Sequence, residues 1–155
     1  MTKIISIAID AMGGDNSPGK TIEGVKFFLE KNKNKNDFII NLFGDETKIN
    51  YEIKKNKISK DRLKIHHTDS VISDNETPLK AIKNSKNTSM WKCIEFQLNG
   101  SAHISLSAGN TGVLLVISRM ILKMMKHVSK PALAGLWPNQ KGMNVVLDLG
   151  ANIEC

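Results

Sequence analysis

Three segments of this sequence place glycine and short polar side chains directly after an apolar run. They are Asp10-Ala11-Met12-Gly13-Gly14-Asp15, Ser107-Ala108-Gly109-Asn110-Thr111-Gly112 and Asp148-Leu149-Gly150-Ala151-Asn152. The second carries the most chemistry. Ser107, Asn110 and Thr111 stand between a short apolar run and the long apolar stretch that starts at Gly112. Asn110 or Thr111 can cap a helix there, and the N–H groups of its first turn then form a ready anion site at the positive end of the helix dipole. Gly109 and Gly112 let a ligand approach the backbone closely. For any one of these segments, glycine and asparagine can equally be there only to make a turn. Three together point to a site, because the turns that follow the strands of a parallel sheet share its carboxyl edge, where ligands bind.

A second motif competes for the same region. Gly14-Asp15-Asn16-Ser17-Pro18-Gly19-Lys20-Thr21 matches the phosphate-binding loop G-x-x-x-x-G-K-[ST], and Val145-Val146-Leu147-Asp148 could serve as the strand that holds Mg²⁺. Two features weaken it. Asp10 to Gly13 separate the apolar run from the first glycine, and Pro18 removes one N–H from the cradle. His66-His67 has only Asp69 near it at ligand spacing and reads as a surface pair at a strand end rather than a metal site. Cys93 reads as a small core residue. The sequence contains neither a G-x-S-x-G elbow nor a G-x-G-x-x-G fingerprint, so it gives no support to a standard serine hydrolase or dinucleotide-dependent dehydrogenase.

The elements that must position these residues alternate. Ile4 to Ile9, Phe38 to Phe43, Leu63 to His66, His103 to Leu106, Ala132 to Leu136 and Val145 to Leu149 read as strands. Thr21 to Lys31, a short stretch within 47–62, Pro78 to Lys86, Met90 to Asn99 and Gly112 to Lys126 read as helices. Lys31 to Asn36 reads as a loop. Ile4 to Ile9 and Val145 to Leu149 are continuous apolar runs, expected of strands covered on both faces. The alternation predicts an α/β fold with a mostly parallel sheet between helical layers, in one domain over 1–155 with no internal boundary. The stop at Cys155, just after a buried strand, suggests an incomplete fold.

Composition sets the class. The 155 residues are 41% hydrophobic and 24% charged, enough for an ordinary core. Two cysteines exclude a disulfide scaffold and suit a reducing cytoplasm. The apolar run Gly112 to Leu122 is too short to span a bilayer. All but Arg62 and Arg119 of the 22 basic residues are lysines, and the net charge is +7. With aromatics at 5%, this reads as a solvated lysine surface rather than a nucleic-acid interface.

The strings Asp10-Ala11-Met12-Gly13-Gly14-Asp15, Ser89-Met90, Ser107 to Gly112, Pro131-Ala132-Leu133 and Leu147 to Asn152 occur in the order seen in the PlsX family, the bacterial acyl-ACP:phosphate acyltransferases. The sequence resembles about the N-terminal half of that family. It departs at Val113, where the family usually has alanine, and at Lys130, where arginine is usual. The resemblance implies a three-layer α/β/α sandwich like that of isocitrate and isopropylmalate dehydrogenases. It implies transfer of a fatty acyl group from acyl carrier protein to inorganic phosphate, giving acyl phosphate for phospholipid synthesis, with no metal or redox cofactor. It further implies a homodimer in the cytoplasm and a peripheral relation to the membrane or to a membrane glycerol-phosphate acyltransferase, with no nucleic-acid partner.

On this reading Gly13, Gly14, Ser107, Gly109, Asn110, Thr111 and Gly112 hold phosphate or substrate. Asp10, Asp15 and Asn152 line or brace the cleft as catalytic candidates, with no general base assigned among them. The alternatives are a P-loop nucleotide-binding protein and an inactive remnant of a split gene.

Overall fold

A computed structural model describes residues 4–35, 37–73, 78–83 and 85–150. Its contacts divide the chain into two compact units, Met1–Leu122 and Lys123–Cys155.

The first unit is built on a four-stranded parallel sheet. Its strands are β1 (Ile5–Asp10), β2 (Phe38–Gly44), β3 (Leu63–His67) and β4 (Ile104–Leu106), in the order β3-β2-β1-β4. Parallel neighbours need crossovers, and helices supply them. Helix α1 (Gly19–Lys31) joins β1 to β2, and α2 (Glu46–Lys55) joins β2 to β3. Between β3 and β4 lie α3 (Pro78–Lys83), a 3₁₀ turn at Ser85–Asn87 and α4 (Ser89–Leu98), and β4 leads into α5 (Thr111–Leu122). Each predicted strand and helix of this unit is present, with ends moved by a few residues.

Alternation along the strands separates two faces. Phe38, Ile40 and Leu42 pack with Ile22, Val25 and Leu29 of α1 and Ile49 and Ile53 of α2. On the other face Ala8 and Phe43 pack with Cys93 of α4 and with Ala102, and Phe96 leans on that cluster. Met90 and Ile94, also on α4, pack with Val113, Ile117 and Ile121 of α5. Helices thus cover both sides of the sheet. Local chemistry fixes their starts: the Asp45 side chain accepts from Lys48 N–H at α2, and Thr88 accepts from Trp91 N–H at α4. Helix α5 is shorter than the expected 112–126. It ends at Leu122 because Lys123 takes a left-handed backbone (φ 62°), which a helix cannot continue through.

The sheet stops at β4, where Ile104 and Leu106 are about half exposed. Leu106 borders an apolar groove with Ile7, Ile9, Gly24, Val25 and Phe28. Among the described residues no helix is long and apolar enough to cross a membrane.

The second unit is a two-stranded antiparallel ribbon of β5 (Ala134–Asn139) and β6 (Gly142–Leu147). This corrects the expectation of a buried strand at Val145 to Leu149. Strand β6 ends at Leu147, pairs antiparallel with β5, and leaves Val145 and Leu147 exposed. An unbroken apolar run does not distinguish a covered parallel strand from one side of an apolar hairpin. The Gln140-Lys141 turn before Gly142 (φ 146°) was the available hairpin signal.

The histidine pair also differs from its expected surface role. His66 stacks on Phe43 with centroids 4.6 Å apart, touches Phe96, and bonds through Nε2 to Asn41 Oδ1 at 3.1 Å. Asn41 Nδ2 in turn donates to Ser6 Oγ at 3.0 Å, so a polar chain crosses three strands. His67 does stay at the surface, with Nδ1 accepting from Glu46 N–H and Nε2 against Asp69.

Burial, and then the nearby Lys64 ammonium, lower the His66 pKa from its ordinary 6.5. A base lowered in this way is stabilising while neutral. Its contribution is complete above 6.5 and is lost as pH falls below that value towards the lowered one. Urea midpoints should therefore drop between neutral and mildly acidic pH, and His66→Phe should flatten that fall while keeping the ring stack. Equal pH slopes in both proteins would show that another group is responsible.

Candidate functional site

The register of the sheet brings the first two glycine-rich segments together. Ile9 pairs with Leu106 in the parallel ladder, so Asp10 and Ser107 leave the same edge side by side. The Ser107 hydroxyl donates to Asp10 Oδ2 at 2.7 Å, and Ser107 Oγ accepts from Gly109 N–H at 3.1 Å. The other carboxylate oxygen, Asp10 Oδ1, accepts from Met12 N–H at 3.2 Å. Asp10 is 2% exposed. One buried carboxylate thus holds both loops.

Glycine is required where the loops touch. A Cβ on Gly13 would lie 2.7 Å from Asp10 Oδ2 and 2.8 Å from both Ser107 Oγ and Gly109 N. Gly14 has φ 89°, and a Cβ there would meet the Ala108 carbonyl oxygen at 2.7 Å. Met90 of α4 lies beneath Gly109, its Cε 2.9 Å from where a Cβ would stand.

Beyond this contact α5 begins. Asn110 is its cap: Oδ1 accepts from Val113 N–H at 3.1 Å, and Leu114 N–H bonds the Asn110 carbonyl at 2.9 Å. The open recess in front of the helix is lined by Gly14, Asp15, Ala108, Gly109, Asn110, Thr111 and Gly112. Asp15 is the one ionisable residue among the described residues that line it.

Six predicted residues, Gly14, Asp15, Gly109, Asn110, Thr111 and Gly112, therefore line one recess, and Gly13, Asp10 and Ser107 lie against it from behind. The third segment belongs to the second unit: Asp148 and Gly150 have φ of 58° and 81°, and Leu149 N–H bonds the Leu133 carbonyl. Asn152 lies outside the described residues.

The phosphate-loop match does not fold as a cradle. Lys20 extends along the surface of α1 and pairs with Glu23 at 3.3 Å, while Glu23 and Glu52 flank the hollow beside Lys20. The Ser17 and Lys20 N–H groups are taken by the Gly14 and Asn16 carbonyls, at 3.3 and 3.2 Å, and Lys55 lines the same hollow. Cys93 is buried as expected. Burial, and then the adjacent Asp10 charge, push its thiol up to about 12, so no thiolate nucleophile forms there at neutral pH. Met90 and Ala108 stand inside two of the resembling strings, but nothing in their spacing foretold that they pack against Gly109 and Gly14.

The chain matches the family model described as "Fatty acid synthesis protein" over residues 5–155. It is 49% identical over 155 residues to the phosphate acyltransferase of Pelagibacter ubique, covering 100% of this chain and 45% of that protein. It is 37% identical to the phosphate acyltransferase of Phenylobacterium zucineum, covering 100% of this chain and 43% of that protein. The chain thus spans less than half the length of these curated relatives. Its fold resembles that of the EutD phosphotransacetylase from Staphylococcus aureus at a TM-score of 0.56 and 14% identity, over 93% of this chain and 46% of that one. This likeness supports the α/β sandwich expected from the sequence.

The close approach at Gly13 gives a stability test. Gly13→Ala should destabilise the first unit by about 1–3 kcal/mol, the usual cost of forcing a methyl group into a filled site. Gly24→Ala, at an exposed position in α1 with nothing within 4 Å of the added Cβ, should stabilise it by roughly 0.5–1 kcal/mol. Urea unfolding of both variants checks the pair. A neutral Gly13→Ala would mean that the loops do not meet as described.

Proposed function

The chain belongs to the fatty acid synthesis protein family, and on that premise we propose that it is part of an acyltransferase that moves a fatty acyl group from acyl carrier protein to inorganic phosphate. The observation that carries this reading is the recess at the start of α5. Asn110 caps the helix, glycine borders it at 109 and 112, and no lysine or arginine among the described residues lines it. Phosphate is the nucleophile in such a transfer. A site that held it by direct ion pairs would lower the reactivity of the attacking oxygen. Backbone N–H groups at a helix start hold an anion with partial charges only.

The N–H groups of Thr111 and Gly112, in the first turn of α5, have no acceptor among the described residues and border the recess. They would bind the phosphate. Asp15 would accept the proton of its P–OH group. A phosphate oxygen then attacks the thioester carbonyl, and collapse of the tetrahedral intermediate expels the thiolate of acyl carrier protein, which takes the proton back from Asp15 and leaves as the thiol. Donors at a helix start also suit the oxyanion of that intermediate. The residues that the longer relatives carry beyond the matched span would complete the cleft. The whole would form one domain, with Asn152 a further candidate for its site. Dimerisation and peripheral membrane contact belong to the same proposal, with the surface lysines meeting the acidic carrier.

Trapping acyl phosphate as its hydroxamate, from acyl carrier protein thioester and phosphate, tests the activity. Phosphate binding tests the site without needing residues outside this chain. Thr111→Pro is the informative variant. Proline is accepted at the first position of a helix and deletes one N–H there. It should weaken phosphate binding roughly tenfold, the scale of one hydrogen bond to a charged group, with the helical circular dichroism unchanged. Undiminished binding would remove α5 from the site.

A further inference from the structure

We infer that Asp10 and Ser107 act together as a positioning pair for the phosphate site, and that neither is a phosphate ligand or a catalytic base. The inference rests on the phosphate reading above and narrows it. A serine hydroxyl has one proton to give. Here that proton goes to Asp10 Oδ2, at 2.7 Å. Ser107 Oγ already accepts the Gly109 N–H, at 3.1 Å. The two groups that sequence alone makes the best phosphate donors in this loop, the Ser107 hydroxyl and the Gly109 amide, are therefore engaged inside the protein.

Asp10 is no better placed to act on substrate. It is 2% exposed, and its oxygens accept from Ser107 and from Met12 N–H. Gly13 closes over it so tightly that a Cβ would stand 2.7 Å from Oδ2. Asp10 is not among the described residues that line the recess, which Asp15 and the start of α5 border. What the pair does is fix the backbone on both sides of that recess. Through Ser107 it orients Gly109, the residue before the Asn110 cap. Through Met12 it orients the turn that carries Gly13, Gly14 and Asp15. Thr111 and Gly112 are left to meet the anion.

A double-mutant cycle separates this role from direct ligation. Asp10→Ala, Ser107→Ala and the double variant are titrated with inorganic phosphate by calorimetry. The amide exchange of Gly109 is followed in each. A pair acting through one bond predicts that each single change weakens phosphate binding roughly tenfold and that the double change is no worse than the weaker single. Gly109 amide exchange should quicken in all three variants, and Ser107→Thr, which keeps the hydroxyl, should restore both readouts towards wild type. Losses that multiply in the double variant, or single variants that bind phosphate as wild type does, would overturn the positioning role while leaving the phosphate site standing. A wild-type chain that shows no saturable phosphate binding would overturn the phosphate reading itself, and with it anything the pair could position.

Discussion

The arrangement of this chain depends on one buried carboxylate. Asp10 ends β1 with 2% of its surface exposed and, among the described residues, no lysine or arginine bonded to it. A charge in such a place is costly unless hydrogen bonds replace the lost water. The bonds it finds come from two different loops, which makes the carboxylate the tie between them. Much around it is shaped to permit that tie. Gly13 has no side chain because the space is already filled, and Gly14 takes a left-handed backbone to pass Ala108. The parallel register sets Leu106 beside Ile9 so that Ser107 arrives within reach. The small residues of both loops follow from this packing. Their hydrogen bonds leave the first amides of α5 as donors to the recess.

The sequence made much of this legible, for reasons that can be traced. Short apolar runs separated by helical spacing gave β1, β2, α1 and α4, because a parallel sheet forces strands and helices to alternate. Glycine-rich turns after apolar runs located the recess, since parallel strands deliver such turns to one edge. Other features were hidden. Ser107 reads as an anion ligand in sequence, and nothing local reveals that its hydroxyl donates to Asp10, 97 residues away. His66 looked like half of a surface pair, because nothing local reveals the Asn41 amide and the Phe43 ring that enclose it. At β6 hydrophobicity was read correctly, but its cause was not. The register puts Ala134, Leu136, Pro138, Met143, Val145 and Leu147 on one side of the ribbon, and pairing direction is invisible to periodicity.

The charge of the protein and the chemistry of its recess are separate matters. A net charge of +7 invites the idea of a phosphate site lined with lysine. The lysines lie elsewhere: Lys20, Lys48, Lys55 and Lys92 each pair with a carboxylate three residues away along or beside their own helix. Exposed pairs of this kind contribute little to stability and are screened by salt. Among the described residues the recess has helix amides and one carboxylate, Asp15. An anion held there would keep more of its nucleophilic character than one gripped by ammonium groups. The lysine-rich surface and the recess, which no lysine among the described residues lines, therefore act on different scales, one on the long-range field of the protein and the other on whatever meets the start of α5.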